Sequence, residues 1–141
     1  NKEFVGKIGW IVGFGYDDSQ LAEQRHPTRD DLDKVSKDLP VIIIHQSGHL
    51  GVANSKALAM AGVTAETKDP AGGVFRRRTG SQEPNGVLEE YAFFHVLGRL
   101  VANFDDDFND SLVEAGVKLE ASFGYTTVQE GRAPDLGLEA M

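Results

Sequence analysis

The chain turns on residues 40–62, PVIIIHQSGHLGVANSKALAMAG. After Pro40 come four β-branched residues, Val41 to Ile44, the pattern of a strand covered on both faces. The run gives out at HQSGH, where Gly48 breaks it. Asn54 or Ser55 then stands where a side-chain oxygen caps a helix over KALAMA, and Gly62 stands where a left-handed residue ends one.

Upstream, IGWIVGFGYD (8–17) is β-branched and aromatic, ends in glycines and reads as a buried strand. Between the two strands lies HPTRDDLDKVS, with Thr28 as N-cap and Asp30 and Asp31 in the first turn, where the helix dipole favours negative charge. Leu32 and Val35 give that short helix one apolar face. Strand, helix and strand in this order predict a βαβ unit with a right-handed crossover and parallel pairing. Downstream, VFRR in TKDPAGGVFRRRTGSQEPNG (67–86) is a short strand, and Gly80 and Pro84-Asn85-Gly86 read as turns of a hairpin-like excursion. Two helices follow. GVLEEYAFFHVLGRLVANF is apolar around most of its circumference, and DDFNDSLVEAGVKLEASFG sets Phe108, Leu112, Leu119 and Phe123 on one face. Gly124 ends the second, and YTTVQEG begins another buried strand. The fold class is α/β, a small mixed domain around a βαβ core.

The 141 residues are about one domain's length, 40% hydrophobic and 26% charged, as in a soluble globular domain. Fourteen Lys and Arg against 22 Asp and Glu give a net charge of -8, which repels phosphate backbones and anionic lipid. The run Arg76-Arg77-Arg78 is too short to reverse this, so nucleic acid is excluded as a partner. Without cysteine there is no disulfide and no thiolate-held zinc, which is compatible with the expected cytoplasmic location. No apolar run approaches the roughly 20 residues of a membrane helix, so no membrane partner is expected. The Asn start and the APDLGLEAM end read as a piece of something longer.

Among chemistry-bearing residues, His45 and His49 are spaced to chelate one ion only on a helix, and here they follow a strand broken by Gly48. His45 reads as a hydrogen-bonded strand-end residue. His49 sits at the carboxyl end of a parallel strand, where open α/β sheets place their ligands. Asn54-Ser55 is a cap, and equally a helix N-terminus offering N–H groups to a carbonyl. GFGYDD lacks the third glycine and the prompt helix of a dinucleotide site, but Tyr16 and Asp17 end the neighbouring strand on His49's side. Glu89 and Glu90 read as exposed helical residues. Glu130, closing the last strand, is placed for a ligand or general base, while His26 and His95 read as structural. There is no G-x-S-x-G elbow.

Taken in order, WIVGFGYDD, PTRDDLDKVSKDLPVIIIHQSGHLGVANSKAL, DPAGGVFRR, TGSQEPNGVLEE and GYTTVQEG resemble the large-chain branch of the amidohydrolase superfamily, the branch of N-substituted formamide deformylase and the exoenzyme regulatory proteins. The resemblance runs from about Trp10 to Gly131. It implies a (β/α)8 barrel enzyme that hydrolyses an amide-type C–N bond of a small molecule with metal-activated water. The chain departs from that pattern in having no His-x-His pair. The resemblance therefore implies that residues 1–124 are the insertion between barrel strands 1 and 2, that 125–141 begin strand 2, and that most of the metal centre, zinc in the full-length parent, lies elsewhere. No cofactor is expected in this piece alone, and its partner is the remainder of the barrel. On this reading His49, Asn54, Tyr16 and Asp17 reach toward substrate and Glu130 faces the metal. The rival is a non-catalytic binding or assembly module, a homo-oligomer joined through the apolar helix at 87–104.

Overall fold

The structure, a computed structural model, describes residues 2–129, and of residues 2–4 the backbone only. It divides into two compact units, Asn1–Asn103 and Phe104–Met141. The first unit contains α1 (Lys2–Ile8), β1 (Ile11–Tyr16), a 3₁₀ turn (Asp18–Gln20), α2 (Arg29–Asp33), β2 (Val41–His45), β3 (Leu50–Ala53), α3 (Ser55–Met60), β4 (Gly73–Arg77), β5 (Pro84–Glu90) and α4 (Tyr91–Val101).

The five strands form one sheet in the order β1-β2-β3-β5-β4. β1 and β2 are parallel, as the βαβ reading requires, and α2 crosses between them. Asp31 makes α2 start where it does, because its carboxylate accepts from the Thr28 N–H (3.0 Å) and hydroxyl (3.1 Å). The helix is shorter than expected. It ends at Asp33, and Val35 is exposed, leaving Leu32 as its buried apolar residue.

The stretch after β2 departs from the expected strand-to-helix passage. Residues 46–49 turn the chain into β3, antiparallel to β2, and only then does α3 begin. A second departure lies at 84–90. Pro84-Asn85-Gly86 does not form a turn, and the chain from Pro84 to Glu90 fills the place between β3 and β4 as β5. The predicted helix therefore loses its first turn to the sheet and begins at Tyr91.

Both faces of the sheet are covered. On one, Leu32 of α2 packs on Val41, Val52 and Val87, with Ile11, Tyr16 and Ile43 around them. The register puts Ile42, Gly51, Ala53, Leu88 and Phe75 on the other face. There Phe93 of α4 sits so close that a Cβ at Gly51 would lie 2.6 Å from its ring. Each fully buried Val, Leu or Ile contributes about 1.5–3 kcal/mol, so these two layers dominate the stability of the unit. α4 is amphipathic: Ala92, Phe93, Val96 and Leu100 are buried within its own unit, while Tyr91 and Val101 are exposed. Its apolar face is thus occupied at home, which removes the observation behind the assembly-module reading.

In the second unit, α5 (Asp106–Ser122) forms as its pattern predicts. The Asp105 carboxylate caps it by accepting from the Phe108 N–H at 2.8 Å. Leu112, Leu119 and Phe123 are exposed. Residues 125–129 are not in a strand, contrary to expectation, since among the described residues they have no strand partner to take up their backbone groups.

Candidate functional site

The topology brings the polar strand ends to one edge of the sheet. β1 and β2 finish there at Tyr16 and His45, β3 starts there beside His49, and β5 finishes there at Glu90. A bulge fixes what that edge presents. Gly15, at φ +85, interrupts the β1–β2 register between Phe14 and Tyr16, so Tyr16 pairs with His45. Strict alternation would have put Tyr16 on the α4 side of the sheet. The extra residue moves it to the α2 side, against the His45 ring at 5.1 Å, edge to face.

His26 joins them from the loop before α2. Its Nδ1 shares a hydrogen bond with Tyr16 Oη (3.1 Å), and its ring stands 6.0 Å from those of Tyr16 and His45. Asp18 Oδ1 faces both imidazoles, 3.3 Å from His45 Nε2 and 3.6 Å from His26 Nδ1. Burial, reinforced by the negative charge of Asp18, pushes the Tyr16 phenol up to about 12. Burial likewise holds His26 below the ordinary imidazole range, the pull of Asp18 opposing it incompletely. Tyr16 is therefore a protonated hydrogen-bonding group near neutrality, and His26 an uncharged one.

Asp17, Asp18 and His45 bring three metal-ligating atoms within 4.8 Å of one another. Their hydrogen bonds show that they do not suit a hydrolytic ion. Asp17 caps the 3₁₀ turn: Oδ1 accepts from Ser19 N (3.0 Å) and Oγ (2.7 Å), and Oδ2 from Gln20 Nε2 (3.1 Å). Those donors, the Ser19 hydroxyl first, hold its carboxyl below the usual range. His45 Nδ1 accepts the Ser47 N–H at 3.2 Å, so the neutral ring carries its proton on Nε2, the atom an ion would need. That Nε2 is buried, with Asp18 as its ionic neighbour but no aligned hydrogen bond.

His49 stands on the same edge and is exposed. Its Nδ1 lies 3.0 Å from Glu90 Oε2, and its carbonyl accepts the Glu90 N–H at 2.9 Å. Glu90 is not the exposed helical residue expected from sequence. It is the hinge between β5 and α4, at φ 49 and ψ -120, a backbone region that favours glycine. Such a conformation costs about 1–3 kcal/mol. An ion pair whose partners are 54% and 51% exposed returns about 0–1 kcal/mol.

Asn54 is placed elsewhere. It lies at the opposite end of β3, beside the start of β2, and is fully buried. Its Oδ1 accepts from Val41 N (3.0 Å) and Ala57 N (2.9 Å), while its Nδ2 donates to the carbonyls of Ser36 (2.8 Å) and Leu39 (3.0 Å). No polar atom remains for a substrate, so Asn54 holds β2 to α3 and does not line the site. Glu130 lies outside the described residues. Of the predicted residues, the edge thus gathers Tyr16, Asp17 and His49. Sequence reasoning passed over Asp18, His26, His45 and Glu90. The signal for His45 and Asp18 was their position at the ends of paired strands. His95 has the structural role expected of it, its Nε2 donating to the Ala61 carbonyl at 3.0 Å.

Similar proteins extend these observations. A segment of 83 residues is 42% identical to N-substituted formamide deformylase of Arthrobacter pascens, covering 59% of this chain and 15% of that protein. Over 127 residues it is 31% identical to the exoenzymes regulatory protein AepA of Pectobacterium carotovorum subsp. carotovorum, covering 88% of this chain and 27% of that one. The fold matches the crystal structure of an uncharacterized metal-dependent hydrolase from Pyrococcus horikoshii OT3, with a TM-score of 0.65 at 22% identity, covering 99% of this chain and 27% of that one. The chain thus spans between 15% and 27% of the length of these proteins. Residues 2–140 match the profile of the amidohydrolase family Amidohydro_3, and the chain belongs to that family.

Proposed function

We propose that this chain is part of a metal-dependent amidohydrolase that hydrolyses an amide-type C–N bond of a small molecule, and that its polar sheet edge forms a wall of the substrate pocket. The observation that carries the reading is the convergence of Tyr16, Asp17 and His49 with Asp18, His26 and His45 on one edge of a sheet whose faces are otherwise filled. Buried neutral donors and acceptors beside an exposed imidazole suit a neutral polar amide, which needs orientation rather than charge neutralisation. Family membership supplies the reaction class.

In that enzyme the metal, zinc on our reading, would activate the attacking water. The donors at Asp17, Asp18 and His45 do not fit it, because Asp17 spends both carboxylate oxygens on capping the 3₁₀ turn and the Ser47 N–H at His45 Nδ1 puts the proton of the neutral ring on Nε2, the atom an ion would take. This chain's described residues therefore bind and orient. With the rest of a barrel to supply the backbone partners that residues 125–129 lack among the described residues, the stretch 125–141 would start its second strand, with Glu130 toward the metal and the preceding residues an insertion beside the barrel mouth.

The test is His49→Ala in the full-length enzyme, assayed on an N-substituted formamide. A fall in kcat/KM of about tenfold or more with unchanged Tm is expected for a substrate-facing group. Undiminished turnover overturns the assignment. A matching control is the 141-residue chain supplied with zinc, in which no turnover is expected.

A further inference from the structure

We propose that Glu90 is the positioning residue for His49, holding its imidazole with the proton on Nδ1 and the lone pair of Nε2 turned outward to accept an N–H or O–H of the substrate. The inference rests on His49 facing substrate and goes beyond it by assigning the ring's tautomer and the group that sets it. Three observations carry it. The carboxylate of Glu90 lies 3.0 Å from Nδ1, and a carboxylate accepts, so Nδ1 must donate. A neutral ring then has its free lone pair on Nε2.

Next, the backbone of Glu90 occupies a conformation that favours glycine, and the exposed pair it makes does not repay that strain. A residue that breaks a local rule without a compensating gain in stability marks a functional position.

Last, the surroundings fix the hinge. The Glu90 N–H donates to the His49 carbonyl at 2.9 Å. Gly73 of β4 packs so tightly beneath that an added Cβ would lie 2.5 Å from Ala92 N and 2.9 Å from Glu89 O. The strain is locked in by packing, and the carboxylate is delivered to His49 by the backbone as well as by its own charge.

The test uses the 141-residue chain labelled with 15N, with the His49 ring shifts read at a pH where the ring is neutral. The expected result is a Nδ1–H ring in the unsubstituted chain. In Glu90→Gly the ratio of that tautomer to the alternative should fall about fivefold, a factor of the size one exposed hydrogen bond to a carboxylate supplies. Relief of the strained φ should raise Tm by roughly 4–8 °C in the same variant. Glu90→Gln, whose amide oxygen still accepts, should retain part of the Nδ1–H preference. A ring protonated on Nε2 in the unsubstituted chain, or shifts that Glu90→Gly leaves unmoved, overturns the proposal, and so does a Glu90→Gly chain that is less stable. These readouts need no turnover, so they fail or succeed independently of the His49→Ala assay.

Discussion

Replacing Asn54 by alanine separates a structural role from the substrate-facing one its sequence position invited. The substitution deletes four hydrogen bonds, to Val41 N, Ala57 N and the carbonyls of Ser36 and Leu39, at a site with no solvent exposure. Loss of the α3 cap costs about 1 kcal/mol. The other three bonds are worth roughly 1 kcal/mol each, and more where a buried partner is left unpaired. Together the loss is about 3–5 kcal/mol, a large part of the 5–15 kcal/mol that holds a domain of this size. With a urea slope of about 2 kcal/mol/M the denaturation midpoint should fall by roughly 1.5–2.5 M. Asn54→Asp adds a signature that distinguishes hydrogen bonding from packing. Its carboxylate would face the Ser36 and Leu39 carbonyls while buried, so burial raises its folded pKa above the unfolded value of about 3.9. The folded state then binds the extra proton more tightly, and stability falls as pH rises from about 4 upward. A midpoint shift below about 0.5 M for Asn54→Ala, or loss of activity in the full-length enzyme at unchanged stability, would refute the structural assignment.

Two further substitutions probe the frame around the site. Gly51→Ala sets a methyl 2.6–2.7 Å from the buried Phe93 ring and 3.0 Å from the Ile43 carbonyl, so it should cost about 1–3 kcal/mol. Thermal melting should fall by about 5–20 °C, and an unchanged Tm would show that α4 does not bear on the sheet as described. Asp31→Ala removes the group that starts α2 and should cost about 0.5–2 kcal/mol at pH 7. The Arg25 guanidinium and the Thr28 N–H hold Asp31 well below the usual carboxylate range. A depressed folded pKa contributes stability above the unfolded value of about 3.9 that is lost as pH falls toward the folded one. The difference between Asp31→Ala and the parent in urea midpoint should therefore shrink between pH 5 and pH 2, and a constant difference would count against the ionic part of the cap.

Much of the frame was legible because local chemistry and tertiary context agreed. Val41–His45 had a single compatible reading, Thr28 with Asp31 made a cap, and Asp105 ahead of an amphipathic run made another. The misreadings fall where the sheet overrode local preference. Leu50–Ala53 is only four residues long, contains a glycine and has no polar-apolar alternation, too little to distinguish from a loop. Leu88, Glu89 and Glu90 are residues at home in a helix, but the edges of β3 and β4 offered backbone partners on both sides. Gly86 at φ +99 made that possible, since a Cβ there would lie 2.6 Å from Arg29 N. The site was partly legible for the same reason. Strand ends could be assigned to one edge, but the Gly15 bulge that moves Tyr16 onto His45, and the His49–Glu90 pair, depend on register and on a strained hinge that no periodicity reveals.

The edge divides chemically into two parts, and the division constrains how it would meet an amide on the proposed reading. On the inner part, Tyr16 pushed up to about 12 and His26 held below its ordinary range are both uncharged at pH 7. Tyr16 is already protonated and cannot take a proton there, and burial makes His26 a weaker base than an ordinary imidazole. They can orient a carbonyl or amide N–H, and the two imidazole rings are held by the Tyr16 hydroxyl at His26 and the Ser47 N–H at His45, with Asp18 between them. On the outer part, His49 is exposed and has a carboxylate at Nδ1, the arrangement that leaves Nε2 free to accept a proton. If one residue of this edge takes part in proton traffic, its exposure and the carboxylate at Nδ1 single out His49, with Tyr16 and His26 holding the substrate on the proposed reading. Removing the Tyr16 hydroxyl should then raise KM more than it lowers kcat, while the loss at His49 should fall chiefly on kcat.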